Sequence, residues 1–274
     1  MAPKLAQPLR DLAAWTAHFR GAEIPVLAQT AEALEALRAN EDDADANILG
    51  EMISSDPLMT LKVMAHASAQ RGSRVVTDTE TVTAALVMMG ITPFFNAFGP
   101  QPTVEDRLAD ELEALAGLNE VLQRAHRGAN FALGFAVHRM DNDAAVIHAA
   151  ALLHDFAEML LWCHAPQLAL RIRRAQRDDP TLRSSAAQLT ALNIQLADLQ
   201  QGLMKAWRLP ELLIRINDDR HADHANVRMV TLATRLARHC ALGWDNAAIP
   251  DDISEIASLL NLSEAATIQL VREL

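Results

Sequence analysis

Residues 149–156 read Ala-Ala-Ala-Leu-Leu-His-Asp-Phe, and this stretch decides how the chain is interpreted. It places an imidazole next to a carboxylate inside an apolar, alanine-rich segment with helical periodicity. Burying two such groups is costly unless they are paired, hydrogen-bonded or bound to a metal. His154 and Asp155 are therefore expected either to bind a ligand or to satisfy each other. If they form a buried pair, removing one partner should cost about 3–5 kcal/mol.

The composition favours helices. Half of the 274 residues are hydrophobic, yet only 4% are aromatic and tyrosine is absent. The apolar residues are mostly Ala, Leu, Ile, Val and Met, which favours close packing of helices over a sheet. We therefore predict an all-α fold, a two-lobed multi-helix bundle in which Val75-Val76-Thr77 is the single β-like run.

Capping residues predict several helix ends. Asp56-Pro57 offers an N-cap followed by proline at the first helical position. Thr79 is expected to cap a helix that ends at Gly90, and Thr103 another that ends near Gly117. Longer periodic stretches cover about 118–140, 143–164, 166–177, 184–206 and 226–241.

The segment 94–103 interrupts the helical pattern with three phenylalanines and two prolines. We interpret it as a bend or lobe junction whose aromatic rings are anchored in the core. A binding surface is the alternative.

Charge and cysteine content exclude some classes of protein. The formal net charge of −11 argues against nucleic-acid binding, because phosphate binding requires clustered lysine and arginine. The one basic cluster, between Arg171 and Arg177, is followed at once by two aspartates and is interpreted as a solvated helix face. Two cysteines give no sign of an oxidising compartment. The first residues lack a signal-peptide core and no apolar run approaches a membrane span, so we expect a cytoplasmic protein without membrane contact.

Several short motifs occur in order between Ile24 and Ala237. They are Ile24-Pro25-Val26-Leu27, Ile53–Met64 (ISSDPLMTLKVM), Ala65-His66-Ala67-Ser68 with Gly72, Ala84–Gly90 (AALVMMG), Leu152-Leu153-His154-Asp155 and Trp207-Arg208-Leu209-Pro210-Glu211. Together they resemble the HDOD family, bacterial signalling domains related to HD-type metal-dependent phosphohydrolases.

The resemblance implies a domain organisation. An HDOD domain is expected over 24–240, with a helical lobe at 24–117 and an HD-domain-like lobe at 118–240. Residues 1–23 are then an N-terminal lead-in, and residues 241–274 form a C-terminal helical extension. Because no receiver, cyclase or kinase domain is recognised beside it, signalling partners are expected to be separate chains. A homodimer is left open.

The resemblance also implies where metal ligands are expected. In HD-type hydrolases, one or two metals are held by a histidine, the His-Asp pair and an aspartate on a later helix. We interpret His126, His154, Asp155 and His221 as vestigial metal positions. The later aspartate is missing, because Thr234 stands where it is expected.

Two further departures from the family pattern weaken the site. Leu196 stands in place of an intermediate histidine, and Glu158 in place of a lysine that could stabilise phosphate charge. We therefore predict a non-catalytic signalling module with no catalytic residue and no cofactor. Two alternatives stay open. One is a phosphohydrolase or phosphodiesterase that uses a divalent metal. The other is a nucleotide sensor in the former active-site cleft, with an arginine pocket formed by Arg124, Arg127 and Arg139.

One histidine-rich cluster keeps the metal question open. Residues 218–224 (DDRHADH) hold three carboxylates and two imidazoles. If the segment is helical, His221 and His224 could share a ligand, whereas a solvated turn is the other interpretation. The remaining helical histidines are interpreted as isolated, partly buried or surface residues: His138, His148, His164 and His239.

Overall fold

A computed structural model describes residues 3–41, 44–70 and 79–274. The predicted β-like run Val75-Val76-Thr77 and the motif residue Gly72 lie outside these ranges. Within them the chain is helical, and its one β feature is an isolated parallel bridge between Val26 and Thr103. The predicted all-α fold is confirmed.

The chain divides into two compact units, and unit 1 comprises residues 1–121 and 155–209. Its core includes the fully buried rings of Trp15 and Phe19. Its helices are α1 (Leu12–Gly21), α2 (Ala28–Ala39), α3 (Ala46–Ser54), α4 (Pro57–Gln70), α5 (Val82–Met89), α6 (Ile91–Ala97), α7 (Val104–Arg107), the first part of α8 (Leu112–His138), α10 (Phe156–His164), α11 (Pro166–Asp178), α12 (Ser184–Leu192) and α13 (Leu196–Ala206).

Unit 2 comprises residues 122–154 and 210–274. Apolar side chains of α9 and α15 pack against each other in its core. Its helices are the rest of α8, α9 (Ala144–Leu152), α14 (Glu211–Ile216), a short 3-10 helix (Asp219–His221), α15 (Ala225–His239), α16 (Ile249–Leu260) and α17 (Glu264–Glu273).

This division differs from the contiguous lobes 24–117 and 118–240 that the sequence predicted. Each unit is assembled from two separate segments. Packing between distant helices leaves no trace in local periodicity, so the sequence pattern does not indicate this division. The lead-in belongs to unit 1, where α1 packs against α13, and the extension 241–274 belongs to unit 2. The bend at 94–103 lies inside unit 1, and its three phenylalanine rings are buried as expected.

Several predicted helix ends are correct. α4 begins at Pro57, directly after the fully buried Asp56. Thr103 caps α7, since its hydroxyl oxygen accepts the Asp106 N–H at 3.1 Å. Gly90 ends α5 with a φ of 84°, a backbone conformation that favours glycine.

Other predicted ends are wrong. Thr81, rather than Thr79, caps α5 by accepting the Ala84 N–H. The helix that begins after Thr103 ends already at Arg107, and α8 then continues through Gly117. Two predicted long stretches are each broken, 143–164 at residues 153–155 and 184–206 at residues 193–195.

A buried charge network joins α15 to α16. The Asp252 side chain is 2% exposed and lies 2.6 Å from both Arg235 Nε and His239 Nδ1. Arg235 also donates to Glu255 at 2.7 Å. A buried carboxylate with two such partners is well satisfied. His239 is therefore not the isolated histidine that the sequence suggested.

One stretch of the described residues, Ala144–His164, is long and apolar enough to cross a membrane by length and composition alone. The expectation that no such run exists was wrong for this stretch. In the structure 61% of its most apolar window is buried inside the protein. Core helices pass the same test, so the stretch is weak evidence for a membrane span.

Gly117 has a packing reason to be glycine, and we predict that alanine there destabilises the protein. A Cβ at this position would lie 2.5 Å from Trp162 Cη2, and the indole ring is buried. The overpacking should lower the free energy of unfolding by about 1–3 kcal/mol, measured by urea denaturation.

The matched control is Gly21→Ala, also in a helix, where a Cβ meets no atom within 4 Å. This variant should be unchanged or stabilised by about 0.5–1 kcal/mol. An equal change in the free energy of unfolding for the two variants, relative to the unsubstituted protein, would contradict the packing explanation.

Candidate functional site

His154 and Asp155 lie at the corner where α9 ends and α10 begins. Leu152, Leu153 and Phe156 around them are buried, as the apolar pattern predicted. The two polar residues themselves are only partly buried. Asp155 occupies the N-cap position of α10, and its backbone carbonyl accepts the N–H groups of the helix's first turn. The corner is therefore polar at its surface rather than a sealed ion pair.

Asp219 approaches His154 from the 3-10 helix. His154 Nε2 lies 3.3 Å from Asp219 Oδ1, and the Thr231 hydroxyl donates to the same oxygen at 3.0 Å. The His154 side chain is 13% exposed and that of Asp219 is 52% exposed. Sequence reasoning missed Asp219 as a partner. The acidic cluster at 218–224 was noticed, but 65 residues separate the pair and no local spacing links them.

The cluster at 218–224 forms a polar turn. Asp218 accepts from the Arg220 guanidinium at 2.8 Å and lies 3.4 Å from His221 Nδ1. The hydrogen bonds from Arg220 hold the pKa of Asp218 below its usual value, against a smaller opposing effect of burial. The His221 and His224 rings are exposed, with centroids 6.5 Å apart. This geometry supports the interpretation as a solvated turn.

His126 lies close to His148, which the sequence analysis treated as isolated. Both are partly buried, His126 on α8 and His148 on α9. Burial is the main cause that lowers the pKa of His148, and the nearby charge of His126 lowers it further. A charged His126 therefore disfavours protonation of His148.

Thr234 stands at the position of the expected later aspartate, and its side chain is fully used within the fold. Its hydroxyl donates to the carbonyl of Val230 at 2.9 Å, one turn earlier in α15. Its methyl group faces Gly128 of α8, where a Cβ would lie 3.3 Å away. A neutral hydroxyl committed to its own helix is a poor substitute for a metal-binding carboxylate.

The donor set does not fit the metal centre that the family resemblance implies. In the part of the chain that the structure describes, no three His, Cys, Asp or Glu side chains form a group that could hold a metal. The positions His126, His154, Asp155 and His221 therefore stay a prediction. Thr234 adds no charge, so the set lacks one of the anionic ligands that the resemblance implies.

His164 is a second histidine that sequence reasoning underestimated. It ends α10, is 3% exposed, and its Nδ1 lies 3.3 Å from Arg107 Nη2. Burial, followed by the charge of Arg107, lowers the pKa of His164 to about 4. Burial raises the pKa of the adjacent Cys163 thiol to about 12, so it is unreactive.

Solved structures with the same fold include a response regulator, MmoQ from Methylococcus capsulatus str. Bath. It has a TM-score of 0.67 and 18% identity, over 92% of this chain and 99% of that one. A virulence factor from Campylobacter jejuni gives 0.65 and 15%, over 95% and 97%. An HDOD domain protein of unknown function from Geobacter sulfurreducens gives 0.50 and 15%, over 95% and 93%. At these identities the likeness shows the fold alone.

The family model of the HDOD domain matches residues 24–222. The match covers more than half of the chain, which therefore belongs to the HDOD domain family. No curated protein matches the sequence significantly.

The contact between His154 and Asp219 should be weak, because one partner is half exposed to water. In a double-mutant cycle of His154→Ala and Asp219→Ala, we expect a coupling energy of about 1 kcal/mol or less. Urea unfolding of the four proteins measures it. This value replaces the larger cost expected for a sealed pair.

Asp223→Ala serves as the control, because Asp223 is an 80% exposed aspartate in the same turn. It should show no coupling to His154→Ala. A coupling of several kcal/mol between His154 and Asp219 would mean that the corner is desolvated in solution.

Buried His164 should make the protein sensitive to acid. Its pKa is lowered in the folded state from 6.5 to about 4, so the unfolded chain takes up this proton first as the pH falls. Stability is complete above about pH 6.5 and is lost progressively down to about pH 4, by at most about 3 kcal/mol. Thermal melts across this window measure the loss.

In His164→Gln the side chain cannot titrate, and its carbonyl oxygen can still accept from Arg107. The loss between these pH values should then be smaller. His221→Gln, which changes an exposed histidine, should leave the profile unchanged. An unaltered profile in His164→Gln would show that other groups cause the acid sensitivity.

Proposed function

We propose that this chain is a non-catalytic, bacterial-type signal-transduction module that regulates a partner protein through protein–protein contacts. Membership of the HDOD family supports a signalling role, and the fold shared with a protein described as a response regulator agrees with it. The observation that carries the non-catalytic part is Thr234, whose hydroxyl is bonded within its own helix where a metal-binding carboxylate is expected.

The carboxylates Asp218 and Asp219 already have hydrogen-bonding or ionic partners within the protein. Asp219 is held by Thr231 and contacts His154, while Asp218 is held by Arg220. A metal or phosphate would have to displace these partners before binding. These contacts support a domain that keeps the family fold without a catalytic site.

The charged surfaces support a protein partner rather than a nucleic acid. Two arginines of the basic cluster on α11 donate to glutamates of α8, Arg173 to Glu120 and Arg174 to Glu113. The cluster is thus partly neutralised, and the chain as a whole carries a net charge of −11. We propose signalling proteins on separate chains as partners, in the cytoplasm, without cofactor, membrane or nucleic acid.

The nucleotide-sensor alternative gains no support from the arginines that suggested it. Arg127 Nη1 donates to the carbonyl of Cys240 at 3.0 Å, and Arg139 Nη1 donates to that of Leu259 at 2.7 Å. Both guanidinium groups therefore brace the ends of neighbouring helices in unit 2. Arginines used in this way are less available for a phosphate.

The non-catalytic proposal is tested by elemental analysis and a phosphodiesterase assay. Protein purified without chelator should carry far less than one equivalent of transition metal. With added Mn²⁺ it should hydrolyse a generic phosphodiester no faster than the protein-free control. Turnover in the wild type that disappears in a folded Asp155→Ala variant would overturn the proposal.

A cellular test addresses regulation. In the source organism, the gene would be replaced by one encoding Asp155→Ala or the unit 1 core variant Asp56→Ala. The first should support the wild-type phenotype, since signalling needs the fold and not the carboxylate. The second should fail, because it removes a buried cap. Loss of signalling in a stably folded Asp155→Ala protein would point to chemistry at the corner.

A further inference from the structure

A cleft of about 570 Å³ opens on unit 1, beside the bend at 94–103. Its volume is within the range of small-molecule sites. Lys62 and His66 lie one helical turn apart on α4 and are part of its lining. Glu23 and the segment 97–102 (Ala-Phe-Gly-Pro-Gln-Pro) complete the lining.

The cation in this cleft is already satisfied. Lys62 Nζ donates to Glu23 Oε1 at 2.5 Å, to the carbonyl of Ile24 at 3.0 Å and to Gln101 Oε1 at 2.6 Å. An ammonium group has three N–H donors, so all of them are used. The charge of Lys62 is balanced by Glu23, and the cleft is locally neutral. An anionic ligand therefore has no free partner here.

His66 has uncommitted hydrogen-bonding capacity. Its ring lies 4.9 Å from that of Phe98 in an edge-on arrangement, and it makes no hydrogen bond to any described residue. Burial lowers the pKa of His66, which favours the neutral ring. A neutral imidazole offers one N–H donor and one acceptor nitrogen, which point in different directions, so the acceptor nitrogen can take an N–H group of a ligand.

The segment 97–102 contributes two prolines and the Phe98 ring to the lining. Pro100 and Pro102 have no N–H, and the carbonyls of Gly99 and Pro102 accept from Gln101 and Val26. These rings therefore offer surface for van der Waals contact, and the backbone groups named here offer few free hydrogen bonds. A planar ring can stack on the Phe98 ring or on the prolines.

We propose that this cleft binds an uncharged planar heterocycle with an N–H group that donates to the acceptor nitrogen of the His66 imidazole. Such a ligand would be a small-molecule input to unit 1. The inference goes beyond the proposed function. Ligand binding is measured on the isolated protein. A failure to bind would therefore not affect the proposal of partner regulation, and a failure of partner regulation would not affect the proposed ligand binding.

The first test compares three probes of similar shape by NMR titration of the full-length ¹⁵N-labelled protein. Uracil carries the N–H and C=O groups, N,N-dimethyluracil lacks the donors, and orotate adds a negative charge. Uracil should bind in the millimolar range, with shifts confined to His66, Gln101 and their neighbours. Dimethyluracil should bind about fivefold more weakly, as expected for the loss of one hydrogen bond, and orotate should also bind more weakly.

The second test changes the histidine. His66→Asn keeps a donor and an acceptor and should retain most of the uracil binding, whereas His66→Leu should lose at least fivefold. His221→Ala, far along the chain in unit 2, is the control and should bind normally. Unaltered thermal midpoints would show that the variants are folded.

Three results would overturn the proposal. They are the absence of any NMR shift at about 20 mM uracil, tighter binding of orotate than of uracil, and undiminished uracil binding by folded His66→Leu.

Discussion

The buried carboxylate of Asp56 is the interaction on which unit 1 depends. It accepts the N–H groups of Leu58 and Met59 at the start of α4, and the Leu27 N–H at the start of α2, all within 3.1 Å. Burial raises the pKa of Asp56, and these N–H donors, led by Leu27, oppose the rise. One side chain thereby fixes the start of two helices relative to each other. The position of α4 in turn determines where Lys62 and His66 face the cleft.

The local features of this arrangement could be predicted from the sequence. Asp56-Pro57, Thr103 and Gly90 act on backbone groups within a few residues, so their effect can be deduced from neighbouring letters. The all-α fold follows from composition and periodicity in the same way. Family membership was predicted from the order of several motifs, although each motif by itself acts mainly as a cap, a turn or a packing residue.

Contacts between distant segments could not be predicted. Asp219 contacts His154 across 65 residues, and Asp252 holds His239 across 13 residues from the next helix. Gly117 was predicted to end a helix because glycine often does so. It instead lies within α8, and it is glycine because the Trp162 ring occupies the space where a side chain would be. In each case the decisive partner belongs to another helix. The division of the chain into two interleaved units likewise depends on contacts between distant segments.

The HDOD scaffold and the candidate site therefore differ in how their polar groups are used. Asp56, Asp252 and Thr234 each have protein partners at hydrogen-bond distance, so they contribute to folding, and a ligand would have to displace those partners. The predicted metal positions stay a prediction, but the hydroxyl of Thr234 has been absorbed into the structure of α15. His66 differs from these groups, because it lies in a concave surface and makes no hydrogen bond within the part of the chain that the structure describes. Recognition of a ligand needs groups of this second kind, which directs the search for an input signal to unit 1 rather than to the His-Asp corner.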